Sequence, residues 1–247
     1  MDSSFRFKRF SLRNGRSGLK LGTDAVLLGA YAGLPSPSQE RIRILDIGTG
    51  TGIIALMLAQ RMAERYPSII PESRLKITGI DIDEMAEAGE NFADSPWAEC
   101  LEYRNVSLAG YMDSDPGRFD LIVSNPPYYD NSLPCPDPGR SAARHTDSLS
   151  YREVITFAND FLAPDGTLAV VLPKAEESRL CRFASSFGLF PMRILNVRTV
   201  ERKSPSRIVA EFSFVRTKTV TESVTIMDNG EYTAEYKLLT KDFYLNF

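Results

Sequence analysis

Short apolar runs alternate along this chain with segments whose apolar residues recur every three or four positions. "RIRILDIG" (41–48), "LKITGIDI" (75–82), "LEYRNV" (101–106), "DLIVS" (120–124) and "TLAVVLP" (167–173) read as strands. "GIIALMLAQRMAER" (52–65), "DEMAEAGENFAD" (83–94), "YREVITFANDFL" (151–162) and "AEESRLCRFASSFG" (175–188) read as helices. Strands this apolar have no polar face to offer water, so the alternation predicts an α/β fold whose parallel sheet is covered on both sides. After residue 190 the period changes. "RILNVRTV" (193–200) and "SRIVAEFSFV" (206–215) read as a closing hairpin, and the tail offers a short strand, an Asn-Gly turn and an amphipathic helix. The Pro/Ser-rich "GLPSPSQER" (33–41) is the clearest linker. It separates an N-terminal extension, residues 1–40, from one domain spanning 41–247.

Composition narrows the function classes. Of the 247 residues, 43% are hydrophobic and 25% charged, an ordinary balance for a soluble domain. No 18-residue apolar run exists and the start "MDSSFRFKRF" lacks a signal-peptide core, so a cytoplasmic protein is expected. His145 is the only histidine, and Cys100, Cys135 and Cys181 are widely spaced, which excludes His-rich zinc sites and disfavours a disulfide framework. No metal is expected. A hydrolase triad would need His145, and no G-x-S-x-G elbow accompanies it. The net charge of -3 argues against a uniformly basic nucleic-acid binder, whose pI would usually exceed about 9. Residues 1–20 nevertheless carry six Lys/Arg against one Asp, and residues 193–218 carry seven against two Glu. Such patches suit phosphate, although a solvated surface of alternating sign is the commoner explanation of charge alone.

"LDIGTGTG" places Asp46, Gly48, Gly50 and Gly52 at the end of the first core strand, where open α/β sheets bind ligands. A dinucleotide fingerprint would require Gly at position 53, which is Ile53, and no P-loop motif exists. Asp46 puts a carboxylate beside the cofactor, which suits a cation and repels a pyrophosphate. S-adenosylmethionine, with its ammonium and sulfonium and no phosphate, meets that requirement. "TGIDID" ends the next strand on Asp81, followed by Ile82, where a carboxylate can accept both ribose hydroxyls. Asp81 lies 29 positions beyond Gly52, longer than the usual ~20, and the surface loop "YPSIIPES" (66–73) accounts for the excess. A helix cap by Asp81 or Asp83 is the competing role.

"DLIVSNPPYYD" (120–130) stops a buried strand on Asn125, Pro126, Pro127 and Tyr128. The prolines remove backbone donors and end both helix and ladder. Asn125 then supplies a side-chain oxygen and Pro126 a carbonyl beyond the sheet. Two acceptors on the two N–H groups of a planar amine favour the tetrahedral nitrogen that must attack a methyl group. Tyr128 can stack on a base, an interaction worth roughly 1–3 kcal/mol. No general base is required, because the proton becomes acidic once the methyl has arrived. By itself the motif is also an ordinary turn and strand stop.

Through "DIGTGTG", "GIDID" and "NPPYY" the sequence resembles the class I S-adenosylmethionine-dependent methyltransferases that act on amino groups. Four further stretches narrow the resemblance: "FKRFSLRNGRSGLKLGTDAVLLGAYA" (7–32), "NFADSPWAE" (91–99), "RIVAEFSF" (207–214) and "YTAEYKLLTKDFYLNF" (232–247). With them the chain is similar, over nearly its whole length, to the bacterial tRNA1(Val) (adenine-N6)-methyltransferase family. This implies a Rossmann-like fold with a mostly parallel seven-stranded sheet, helices on both faces, an antiparallel C-terminal hairpin and an N-terminal extension. It implies methylation of the N6 amine of adenine 37 in valine tRNA. In the family the extension closes over the cofactor, which gives Lys20, Gly22, Thr23 and Asp24 places near its methionine part; Thr23 or Asp24 also suits a helix N-cap. Many relatives carry Asp at the end of the third strand to hold the cofactor adenine. Here Ser107, followed by Leu108, takes that position.

RNA contacts are expected from the basic stretches. "FRFKRF" interleaves Phe5, Phe7 and Phe10 with Arg6, Lys8 and Arg9, as a strand with a basic outward face or an edge strand with its phenylalanines in the core. Lys8, Arg9, Arg13 and Arg16, then Arg140, Arg144 and His145 in "PDPGRSAARHT", and Arg202, Lys203 and Arg207 form the candidate set. Anticodon-loop bases are unpaired, so one enters a pocket at lower cost than a duplex base. A monomer and no membrane association are expected. The rival readings are an N5-glutamine methyltransferase acting on a release factor, which also uses N-P-P-Y, and a catalytically silent binding module.

Overall fold

A computed structural model of the protein describes residues 4–15, 22–37, 40–127 and 149–247. Its centre is a parallel sheet of β3 (Ile42–Ile47), β4 (Leu75–Asp81), β5 (Leu101–Asn105), β6 (Phe119–Ser124) and β7 (Leu162–Pro173). In β6, residues 121–124 are all buried, as are residues 168–172 of β7. Each such Val, Leu or Ile contributes about 1.5–3 kcal/mol when fully buried. The sheet closes with the expected hairpin of β8 (Phe190–Val200) and β9 (Arg207–Ser213), and β9 lies antiparallel to both β7 and β8.

Two strands beyond the expected seven extend this edge. β10 (Val220–Asp228) pairs parallel to β8, and β11 (Glu231–Tyr232) folds back on it, so the sheet has nine strands. The turn between β10 and β11 is the expected Asn-Gly, with φ of 46° at Asn229 and 87° at Gly230. Positive φ at both central residues matches the right-handed twist of the paired strands.

One face of the sheet is covered by α1 (Thr23–Tyr31), α2 (Ile53–Arg65), α3 (Ala88–Ala93) and α7 (Ala234–Thr240). The other carries α4 (Leu108–Asp113), α5 (Tyr151–Phe161) and α6 (Glu177–Ser186). The helix expected from Asp83 begins only at Ala88. Asp83 Oδ1 accepts the Met85 N–H at 2.9 Å and its carbonyl accepts the Ala86 N–H at 3.0 Å, so this stretch turns instead of coiling. The N-cap of α1 is Gly22, without a side-chain cap; Thr23 and Asp24 stand inside the first turn.

"FRFKRF" is the tip of a hairpin, not one strand. β1 (Ser4–Arg6) pairs with β2 (Ser11–Arg13), and Phe7 N–H closes the turn on the Phe10 carbonyl at 2.9 Å. Phe7 and Phe10 are buried in the core, as an apolar edge predicts, while Phe5 is partly exposed. Lys8 holds the far end of the chain: its Nζ donates to the carbonyls of Lys241 at 2.5 Å and Phe247 at 2.9 Å. The rings of Phe5 and Phe7 meet Tyr244 there, at 6.2 and 5.7 Å between centroids. Both terminal segments are thereby fixed to each other beside α2, where Gln60 donates to the Asp242 carbonyl at 2.9 Å.

Candidate active site

Chain order reverses between β3 and β6, since β4 and β5 lie on one side of β3 and β6 and β7 on the other. Such a reversal leaves a crevice outside the carboxyl ends of the two strands. The register puts Ile47, Ile80 and Ser124 level at that edge, and Ser124 Oγ donates to the Ile47 carbonyl at 2.8 Å. The ladders of β6 with β3 and β7 both end at Ser124. Asn125, Pro126 and Pro127 follow beyond them, half-buried, buried and exposed in turn. Tyr128 lies outside the described residues.

The glycine loop after β3 is folded against the end of β4. Gly48 and Thr49 donate to the Ile80 carbonyl at 2.9 and 3.0 Å, and Gly50 N–H donates to Asp81 Oδ2 at 2.7 Å. Gly50 and Gly52 have φ of 53° and 80°, a region costly for residues with a side chain. A Cβ on Gly52 would lie 2.4 Å from the ring of Phe92, whereas one on Gly50 would meet nothing within 4 Å. The loop is therefore packed tightly behind and open at Gly50. Asp81 uses its other oxygen on the Asp83 N–H at 2.9 Å, as Asp83 does on the Met85 N–H, so both make side-chain turns and neither caps a helix; α3 has Glu87 at its N-cap. Ile82 beside it is an exposed apolar side chain, 52% accessible.

Asp46 is fully buried. Its Oδ2 accepts the Thr49 hydroxyl at 2.7 Å, and Oδ1 has no hydrogen-bond partner among the described residues. Burial drives its carboxyl up to about 7, against the pull of the Thr49 hydroxyl and the Ala55 backbone N–H, and the nearby Asp81 charge adds to the rise. Burial likewise raises Asp81. A carboxyl raised in the folded state stabilises the fold while protonated, fully below the ordinary value of 3.8, and loses that contribution as pH climbs through about 7. Unliganded protein is expected to lose thermal stability between pH 4 and 7, and Asp46→Asn, a neutral isostere, to flatten that slope in melting curves; an unchanged slope in the variant would refute the assignment. An acidic side chain buried behind the loop suits a cationic ligand better than a phosphate, and the loop itself is open at Gly50.

The N-terminal segment reaches this edge through residues the sequence did not single out. Asn91 accepts the Arg13 N–H at 2.8 Å and donates to the Thr51 carbonyl of the glycine loop at 2.8 Å. Glu87 accepts the Gly15 N–H at 3.1 and 3.2 Å. On the other flank Asp24 Oδ2 receives Arg207 Nε at 3.0 Å, which joins a candidate cofactor residue to a candidate RNA residue. Lys20 and Arg16, between those anchors, lie outside the described residues. Asn91 sits in "NFADSPWAE", and that stretch's part in the family resemblance was the available signal. Thr49, three residues after Asp46, and Ser124, before Asn125, were similarly legible only as neighbours.

Other expected residues fall as follows. Ser107 caps α4 by accepting the Gly110 N–H at 3.1 Å, and Leu108 packs on the core behind it; the Ser107 hydroxyl keeps its proton to donate. Arg9 lies 3.7 Å from Glu64, and Arg13 pairs with Glu90 and Asp94 at 3.0 and 2.6 Å. Arg202 and Lys203 are exposed in the turn between β8 and β9, on the same edge as Asn125. Arg140, Arg144 and His145 lie outside the described residues. Among the described residues there is no cluster of three metal-ligating side chains and no helix long and apolar enough to cross a membrane. A cavity of about 360 Å³ lined by Leu75, Lys76, Cys100 and Leu101 opens at the opposite edge, where β4 and β5 begin.

Comparison with known proteins places this geometry. A family model described as methyltransferase small domain matches residues 32–190. The tRNA1(Val) (adenine(37)-N6)-methyltransferase of Bacteroides thetaiotaomicron is 41% identical over 245 residues, covering 98% of this chain and 97% of its own. The Photobacterium profundum protein of the same name is 36% identical over 250 residues, 99% of each chain. A predicted O-methyltransferase from Agrobacterium tumefaciens superposes with a TM-score of 0.62 at 15% identity, over 89% of this chain and 96% of its own. The type I restriction-modification methyltransferase subunit from Streptococcus thermophilus gives 0.61 at 16% identity, over 93% of this chain and 52% of its own. These structural likenesses concern the fold.

Proposed function

The chain belongs to the methyltransferase small domain family and, within it, to the tRNA1(Val) (adenine(37)-N6)-methyltransferases; on that premise we propose that it methylates N6 of adenine 37 in a valine tRNA, using S-adenosylmethionine. The carrying observation is the position of Asn125 and Pro126, past both ladders of β6 and beside the glycine loop of β3. When bound, the cofactor supplies an electrophilic methyl group on a sulfonium.

The chain's residues do the rest. Asp81 accepts the ribose hydroxyls while anchoring Gly50, and Ile82 with Leu108 gives the cofactor adenine an apolar surface. Ser107 donates to that adenine from the cap of α4. Asp46 faces the positive charge, which favours its ionised form, so cofactor affinity rises as pH passes about 7. Gly48, Gly50 and Gly52 let the backbone approach closely, and Lys20, Gly22, Thr23 and Asp24 close over the methionine part. Asn125 Oδ1 and the Pro126 carbonyl accept the two N–H groups of the substrate amine, Pro127 fixes the turn, and Tyr128 stacks on the base. The amine proton leaves to solvent after transfer, which is consistent with a site that needs no histidine. We take residues 1–40 as an extension over the cofactor and 41–247 as the methyltransferase unit, a monomer working without metal in the cytoplasm.

Purified protein with labelled S-adenosylmethionine is expected to methylate an unmodified valine tRNA transcript. Mass mapping is expected to place one N6-methyladenosine at position 37, and tRNA affinity to fall steeply with salt through contacts of the basic candidates. Methylation of a release-factor glutamine with tRNA left untouched would overturn the reading in favour of the protein-amide alternative.

A further inference from the structure

Between α5 and α6 lies an open cleft of about 290 Å³ lined by Arg152, Arg179, Arg182, Phe183 and Ser186. Arg152 stands over the Phe183 ring, its guanidinium carbon 4.6 Å from the centroid. Arg179 pairs with Glu176 at 3.1 Å. Neither Arg152 nor Arg182 forms an ion pair with a described residue, and both side chains are exposed. Three guanidinia lining one cleft with a single carboxylate among them leave a positive field that a polyanion would neutralise.

The topology connects this cleft to the active edge. β7 runs parallel to β6, so Pro173, and α6 shortly after it, begins at the end of the sheet where Asn125 stands. At the start of α5, Leu149 abuts the glycine loop, its Cδ2 3.1 Å from where a Cβ on Gly48 would project. Arg152 comes three residues later, less than one helical turn. The cleft therefore starts next to the reaction site and runs from it along the outer face of α5 and α6. Arg179 and Arg182 are neighbours on one helix face, and the exposed Arg152 lies against the Phe183 ring.

We infer that the cleft of Arg152, Arg179 and Arg182 holds backbone phosphates of the RNA strand leading into the methylated loop. The guanidinium fork matches phosphate geometry, and a sequence-blind grip outside the site fits an enzyme that must present one extruded base. The inference rests on tRNA being the substrate, and it assigns three residues outside the basic stretches at either end of the chain.

The test compares full-length wild type with Arg152→Ala/Arg182→Ala, measuring tRNA binding across a salt series and methyl transfer at saturating tRNA. Each single-strand phosphate contact contributes a slope of ~0.7 in log affinity against log salt, so losing two lowers the slope by ~1.4 and weakens binding roughly 25-fold at 0.1 M salt. KM for tRNA is expected to rise in step, with kcat and cofactor affinity held. Arg152→Lys/Arg182→Lys, which keeps both charges, is expected to restore most of the slope, which excludes misfolding as the cause. Unchanged affinity and slope in the folded double alanine variant would overturn the cleft assignment while leaving the substrate intact. Absence of tRNA methylation by wild type would instead overturn the substrate reading on which it rests.

Discussion

Asn125→Ala is expected to bind S-adenosylmethionine as the wild type does and to lose about 10²–10³-fold in kcat, the usual cost of removing one preorganised hydrogen-bond group aimed at developing charge. Asn125 lies past the last rung of β6, where the ladders with β3 and β7 have ended. Ser124 continues to tie β6 to the Ile47 carbonyl at 2.8 Å, which keeps the glycine loop and the following prolines in place. In the proposed role the lost acceptor acts on the substrate nitrogen, whose lone pair is delocalised until both N–H groups are held out of the ring plane. Asn125→Asp keeps an acceptor oxygen at the same position and is expected to recover part of the rate. Single-turnover methyl transfer beside calorimetric cofactor binding checks this. Equal loss of binding and turnover would make Asn125 a structural residue of the cofactor loop and remove it from the chemistry.

The second large effect falls on binding. Asp81→Ala is expected to weaken cofactor affinity at least about 100-fold, because in the proposed site one carboxylate serves both protein and ligand. Its oxygens accept the N–H groups of Gly50 at 2.7 Å and Asp83 at 2.9 Å, and its remaining lone pairs are the proposed partners of the ribose hydroxyls. A hydrogen bond to a charged group contributes about 1.5–3 kcal/mol, and an N–H left unpaired costs a comparable amount. Gly50 then loses the tether that holds it at a φ of 53° against β4. Asp81→Asn retains one acceptor and is expected to fall between the two. Calorimetry with the cofactor, together with tRNA binding in its absence, separates the effects. A dissociation constant within about threefold of wild type in the alanine variant would rule out Asp81 as the ribose acceptor.

Much of the fold was written in periodicities that tertiary contacts had no reason to override. β3, β4, β6 and β7 are so uniformly apolar that only a sheet covered on both faces could bury them, and the Asn-Gly pair at 229–230 specifies its turn by local backbone energetics. Where the sequence misled, a longer-range partner decided. The stretch 83–87 has helical composition, yet Asp83 turns the chain and the Ala88 N–H is taken by the Gly50 carbonyl at 3.1 Å. β10 was legible as a strand but not as a parallel neighbour of β8, since pairing partners leave no trace in one strand's own pattern. The bonds of Lys8 to the carbonyls of Lys241 and Phe247, more than 230 residues away, were likewise invisible to the sequence, which shows its charge alone.

The sequence by itself determined which residue types stand at the strand ends. A carboxylate ahead of alternating glycines, a second carboxylate one strand later and an Asn followed by prolines are each dictated by local requirements of charge, φ and strand termination. Tertiary structure decided which of them meet. The order reversal between β3 and β6 brings Asp46, Asp81 and Asn125 to one edge from positions up to 79 residues apart. Asn91 and Glu87 dock the N-terminal segment there, and α5 and α6 gather Arg152, Arg179 and Arg182 into one cleft. Chain entropy hides such meetings from any window of sequence, because their benefit appears only once the sheet has ordered the segments that carry them.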